Sequence, residues 1–122
     1  MRNLKVLLLL VGLVFSGTQS AIAHAELVKS FPIANSTITK APKFVQLEFG
    51  EDLATLKSKS ANSIVILDAK ATKIATSIII IKKAIARVEL ISALKPGKYT
   101  IKYRVVSADG HVLNAQFKFT LS

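Results

Sequence analysis

From Val45 onward, polar and apolar residues alternate nearly one for one. Val45, Leu47 and Phe49 alternate with Gln46 and Glu48, and Ile85, Arg87 and Glu89 with Ala86, Val88 and Leu90. Tyr99, Ile101, Tyr103 and Val105 alternate with Thr100, Lys102 and Arg104, and Phe117, Phe119 and Leu121 with Gln116, Lys118 and Thr120. Successive side chains of an extended strand point to opposite faces, so this period of two predicts strands with one buried and one wet face. Ser63–Asp68 and Thr76–Ile81 are denser apolar runs that read as further strands. Ile78–Ile81 is a sticky β-forming segment, and Lys82 and Lys83 beside it read as gatekeepers against aggregation.

Breakers fall between these runs. Ala41-Pro42 precedes one strand, Lys95-Pro96-Gly97 introduces another, and Asp109-Gly110 separates the last two. Leu53–Ser60 reads as a connecting loop or a single turn. About seven short strands joined by turns predict an all-β fold, an immunoglobulin-like antiparallel β-sandwich or Greek-key barrel. The Cys–Trp–Cys signature of true immunoglobulin domains is missing, so only the architecture follows.

The first 23 residues follow a different pattern. Arg2 and Lys5 make a positive start, Val6–Phe15 is almost unbroken apolar sequence, and Ala21-Ile22-Ala23 has the small-x-small form that signal peptidase reads. This predicts a cleaved secretory signal at 1–23 and one mature domain at 24–122, beginning with His24. The apolar run is short for a transmembrane helix, which needs about 20 residues, and no second one follows, so the mature form is expected not to span a membrane. An uncleaved anchor is the competing reading; it would leave His24 without a free amine.

Composition narrows the chemistry. There is no cysteine, and the single methionine is Met1, so the mature domain has no sulfur ligand, no thiol nucleophile and no disulfide framework. Seventeen Lys and Arg against seven Asp and Glu give +10, or +8 once Arg2 and Lys5 leave with the signal. The lysines are spread along the chain rather than clustered with exposed aromatics, which argues against nucleic acid as a partner. They read as a solvated basic surface with weak, non-specific attraction to anionic lipid headgroups. No G-x-S-x-G, H-E-x-x-H or phosphate-cradling glycine loop occurs, and Glu51-Asp52 reads as a loop pair rather than a catalytic dyad.

Two histidines remain. A free α-amine and an imidazole on one residue, as at His24 after cleavage, chelate a transition metal. The other, His111, follows Asp109 by two positions, which in extended backbone puts carboxylate and imidazole on one face, with Gly110 allowing a turn between them. If the N-terminal strand brings His24 to the same end, the donors are nitrogen-rich with one hard oxygen, a set that favours Cu(II) over Cu(I). Asp-Gly is also an ordinary hairpin turn signal, and a histidine after it is more often a turn residue than a ligand. Glu26 is expected at the surface or supporting the site from behind.

The chain resembles the CopC copper-resistance family. The likeness is carried by His24-Ala25-Glu26-Leu27-Val28-Lys29-Ser30 with Pro32, by Ala41-Pro42 and Val45–Phe49, by Leu94–Tyr99, by Tyr103–His111 and by Phe117-Lys118-Phe119. The Val-Val-Ser-Ala-Asp-Gly-His stretch is quite specific. The resemblance implies a periplasmic β-sandwich that binds Cu(II) through His24, Asp109 and His111, for copper homeostasis and resistance. It also implies a CopD-like inner-membrane protein as partner. The methionine-rich Cu(I) site of some members is not expected here. Val112 stands where the family often has proline, and Asn114-Ala115 where it often has glycine.

A copper carrier or buffer, not an enzyme, is therefore the leading expectation. A copper monooxygenase also uses an N-terminal histidine on a β-sandwich, but this domain is small, has no tryptophan, and its two tyrosines, Tyr99 and Tyr103, lie on the apolar phase of a strand. A metal-free immunoglobulin-like interaction module is the other alternative.

Overall fold

The computed structural model describes residues 26–55 and 61–122. The signal at 1–23, His24 and the end of the Leu53–Ser60 segment lie outside the described residues. Eight strands form: β1 (Leu27–Phe31), β2 (Thr37–Ile38), β3 (Phe44–Phe49), β4 (Ser63–Leu67), β5 (Ile80–Lys82), β6 (Ile85–Glu89), β7 (Gly97–Val106) and β8 (Val112–Leu121). They make two four-stranded sheets, ordered β1-β3-β6-β5 and β2-β8-β7-β4. The architecture is an open β-sandwich. All pairings are antiparallel except the two-residue β2, which runs parallel to β8.

The period-two segments bury the faces their pattern predicts. Val45, Leu47 and Phe49 from one sheet meet Ile101, Tyr103, Val105, Phe117 and Phe119 from the other, all buried. On β6 the buried phase is Ala86 and Val88, which leaves Arg87 and Glu89 half-buried on the outer face. Both tyrosines are core residues. The Tyr99 ring stacks on Phe119 at 5.3 Å, and its hydroxyl donates to the Lys95 carbonyl at 2.5 Å. A tyrosine tied to backbone a few residues upstream is the corner device of immunoglobulin-like sandwiches. Tyr103 packs edge-on to Phe49 at 5.7 Å, and burial pushes its phenol pKa up.

The run Thr76–Ile81 is only partly a strand. Ile80–Lys82 pairs with β6, whereas Thr76 makes a single bridge to Leu90. Ser77 explains the interruption: its hydroxyl accepts from the Glu89 amide at 2.9 Å and donates to the Ile78 carbonyl at 2.9 Å. Local side-chain bonds of this kind compete with a regular ladder. Ile78 is left 85% exposed.

β7 and β8 are the longest strands and stay in register from Gly97↔Leu121 to Val106↔Val112. This hairpin holds the five residues Ser107–His111 rigidly at one end of the sandwich.

Candidate metal-binding loop

Ser107–His111 is closed by its own backbone. The Ser107 amide donates to the His111 carbonyl at 2.9 Å, and the Gly110 amide to the Ser107 carbonyl at 2.8 Å. Gly110 has φ +92°, a left-handed conformation that side chains disfavour, so glycine is suited to this position.

Asp109 and His111 do meet, but through this turn and not through the extended i, i+2 geometry expected from sequence. Nδ1 of His111 stands 2.8 Å from Oδ2 of Asp109. The His111 amide donates to Oδ1 at 3.2 Å, and the Ser107 hydroxyl donates to the same oxygen. The Ser107 bond first, then the His111 side chain and amide, lower the Asp109 pKa from 3.8 to about 2. Both side chains of the pair are about half exposed, at 47% for His111 and 46% for Asp109. The carboxylate is thus permanently ionised near neutrality and aligned on an accessible imidazole.

Two supports were not recognised from sequence. Ser107 is fully buried beneath the loop; its place inside the Val-Val-Ser-Ala-Asp-Gly-His stretch was the only signal. Asn62, also buried, donates from Nδ2 to the Ala54 carbonyl at 2.8 Å and accepts from the Val106 amide at 2.8 Å. Nothing in the local pattern around Asn62 marks that role.

The segment after β3 links this loop to the start of the described chain. The Ala108 amide donates to the Asp52 carbonyl at 2.9 Å, and Leu53 bridges Ser107. Two residues before Asp52, the Gly50 amide donates to the Glu26 carbonyl at 2.9 Å. Glu26 therefore lies at the same end of the sandwich as Asp109 and His111. Its side chain is exposed.

Among the described residues no cluster of three or more His, Cys, Asp or Glu side chains could hold a metal. Asp109 and His111 supply one hard oxygen and one imidazole, half of a tetragonal set, so further donors must come from outside them.

A CopC domain model matches residues 27–122. The chain belongs to the CopC family. It is similar to protein YobA of Escherichia coli K12, with 33% identity over 110 residues covering 85% of this chain and 83% of YobA. It is 32% identical to copper resistance protein C of Escherichia coli, over 90% of both chains. The crystal structure of CopC from Methylosinus trichosporium OB3b matches with a TM-score of 0.69 and 29% identity, over 81% of this chain and 94% of that one. The family match contains the whole Ser107–His111 loop; His24 lies before its first residue.

Proposed function

We propose that this CopC-family chain is an exported protein that binds copper as Cu(II), through the amine and imidazole of His24, the Asp109 carboxylate and the His111 imidazole. The observation that carries this reading is the Asp109–His111 pair, fixed on a rigid hairpin at the end where Glu26 sits. His24 stands two positions before Glu26, a reach of about 7 Å in extended chain. Three nitrogens and one oxygen without sulfur suit Cu(II), which also heads the divalent affinity order.

The protein acts as a periplasmic carrier or buffer for copper homeostasis and resistance. Processing after Ala23 creates the chelating amine, so export and metal binding are one event. A CopD-like inner-membrane protein is the proposed recipient. Carriage rather than oxidation fits the residues around the ion: the carboxylate takes a position that oxygen chemistry needs open, and both tyrosines are buried in the core.

The test is a Cu(II) titration followed by EPR on protein beginning at His24, beside protein with one additional alanine before it. Tight one-to-one binding, with a nitrogen-rich tetragonal spectrum that the additional residue weakens strongly, is expected. Equal binding by both forms removes the N-terminus from the ligand set. No binding by either leaves the immunoglobulin-like interaction module as the better description.

A further inference from the structure

The two sheets differ in how their outer faces carry charge. The strands of the β1-β3-β6-β5 sheet carry acids among their bases: Arg87 bonds Glu89 at 2.8 Å, and Lys29 stands opposite Glu48 in register. The four strands of the other sheet contain no acidic residue at all, while Lys98, Lys102, Arg104 and Lys118 stand exposed on its outer face. Among the described residues no ion pair engages any of the four. Arg104 donates to the Ala61 carbonyl at 2.7 Å and keeps its charge. Four positive charges, half of the net +8 left after the signal, thus share one face whose strands carry no acid.

We propose that this face docks on an anionic lipid bilayer. Lys98 to Arg104 span about 20 Å along β7 at a strand's rise per residue. Lys118 sits opposite Thr100, one step diagonal from Lys102, which gives the cations a second row. A broad, shallow grid of this kind matches a plane of phosphate headgroups. The outward side chains of β7 and β8 include no aromatic, because Tyr99, Tyr103, Phe117 and Phe119 all point into the core. Protein interfaces are anchored by buried aromatic and arginine side chains and are depleted in lysine, and single-stranded nucleic acid is held by stacking on aromatics. A bilayer surface needs neither: each Lys or Arg close to it strengthens partitioning about fivefold. Docked flat on this sheet, the molecule keeps the Ser107–His111 loop at the rim of the contact, because that loop caps one end of β7 and β8.

The exported protein, with its start at His24 verified by mass, is sedimented with vesicles of phosphatidylglycerol and phosphatidylethanolamine, and with vesicles of phosphatidylcholine alone, at low and physiological salt. Binding to the anionic vesicles only, weakening with salt, is expected. K102Q/R104Q/K118Q should lower it by about two orders of magnitude. K29Q/K40Q/K43Q, which removes equal charge from β1 and the loop leading into β3, should retain most of it. Equal losses in the two triple variants, no binding to the anionic vesicles, or tighter capture by polyglutamate than by vesicles would each overturn the proposal. Cu(II) stoichiometry measured on the same variants is expected to stay at one, which separates failure of this surface from failure of the copper reading.

Discussion

Nδ1 of His111 stands 2.8 Å from Oδ2 of Asp109, and the other carboxylate oxygen is gripped by the Ser107 hydroxyl and the His111 amide. The contact holds carboxylate and imidazole side by side on the loop, the arrangement in which the proposed site offers both to one ion. A residue that orients a ligand is worth about 10–100-fold in metal affinity, and the Ser107 hydroxyl stands in that place behind the Asp109 carboxylate. D109A is therefore expected to weaken Cu(II) binding by at least that factor, and H111A by more. S107A should cost less, because the hydroxyl holds the carboxylate and does not meet the ion. Competition against a chromophoric copper chelator ranks the three; S107A weaker than D109A would reverse the roles assigned here.

The same network fixes how the protein responds to acid. The Asp109 pKa is lowered from 3.8 to about 2 by Ser107 and then His111. A carboxylate with a depressed folded pKa contributes stability that is fully present above its unfolded value and lost as pH falls through the folded one. Urea midpoints of the parent and D109N should differ most above about pH 4 and converge toward pH 2. The difference is small, since the carboxylate is half exposed. With the proposed nitrogen ligands, copper is expected to leave at higher pH for another reason: protons compete with the metal for those nitrogens. Release should take up more than one proton per copper ion. A single-proton release centred near pH 2 would make Asp109 the limiting ligand instead.

Legibility in the sequence followed burial. β3, β7 and β8 were readable because each buries one full face, and two-sided environments impose period two. β1 was not readable: it is an edge strand with a register shift between Leu27 and Lys29, and its residues are exposed or half-buried without alternation. β2 is two residues long and has no pattern to show. The Thr76–Ile81 run failed as one strand because Ser77 spends its hydroxyl on the Ile78 carbonyl and the Glu89 amide, contacts that hydropathy does not encode. Asp109 and His111 were found as a pair from composition and spacing. The turn that joins them, and the buried Ser107 and Asn62 beneath it, depend on long-range pairing.

Asn62 ties the segment after β3 to β7 through two buried bonds, to the Ala54 carbonyl and from the Val106 amide. N62A leaves both groups short of a partner in a part-buried site, which costs about 2–3 kcal/mol. For a domain of this size that lowers Tm by roughly 10–20 °C. Thermal unfolding followed by circular dichroism measures it. A fall of only one or two degrees would mean that water or a shifted backbone replaces both bonds.

Ile78 tests the reading of Lys82 and Lys83 as gatekeepers. β5 is an edge of its sheet, and Ile78 just before it is 85% exposed. Unpaired edges flanked by apolar side chains recruit other chains, and charge on them prevents it. I78K removes no core contact, so its folded stability should stay within about 0.5 kcal/mol of the parent. Its solubility limit should rise and its aggregation on heating should slow. K82S/K83S should do the opposite while leaving Tm nearly unchanged. Light scattering during a temperature ramp, read beside circular dichroism, separates aggregation from unfolding. If K82S/K83S aggregates no faster than the parent, the two lysines do not guard the edge, and the exposed isoleucine is tolerated because the short β5 strand offers too few backbone groups to pair.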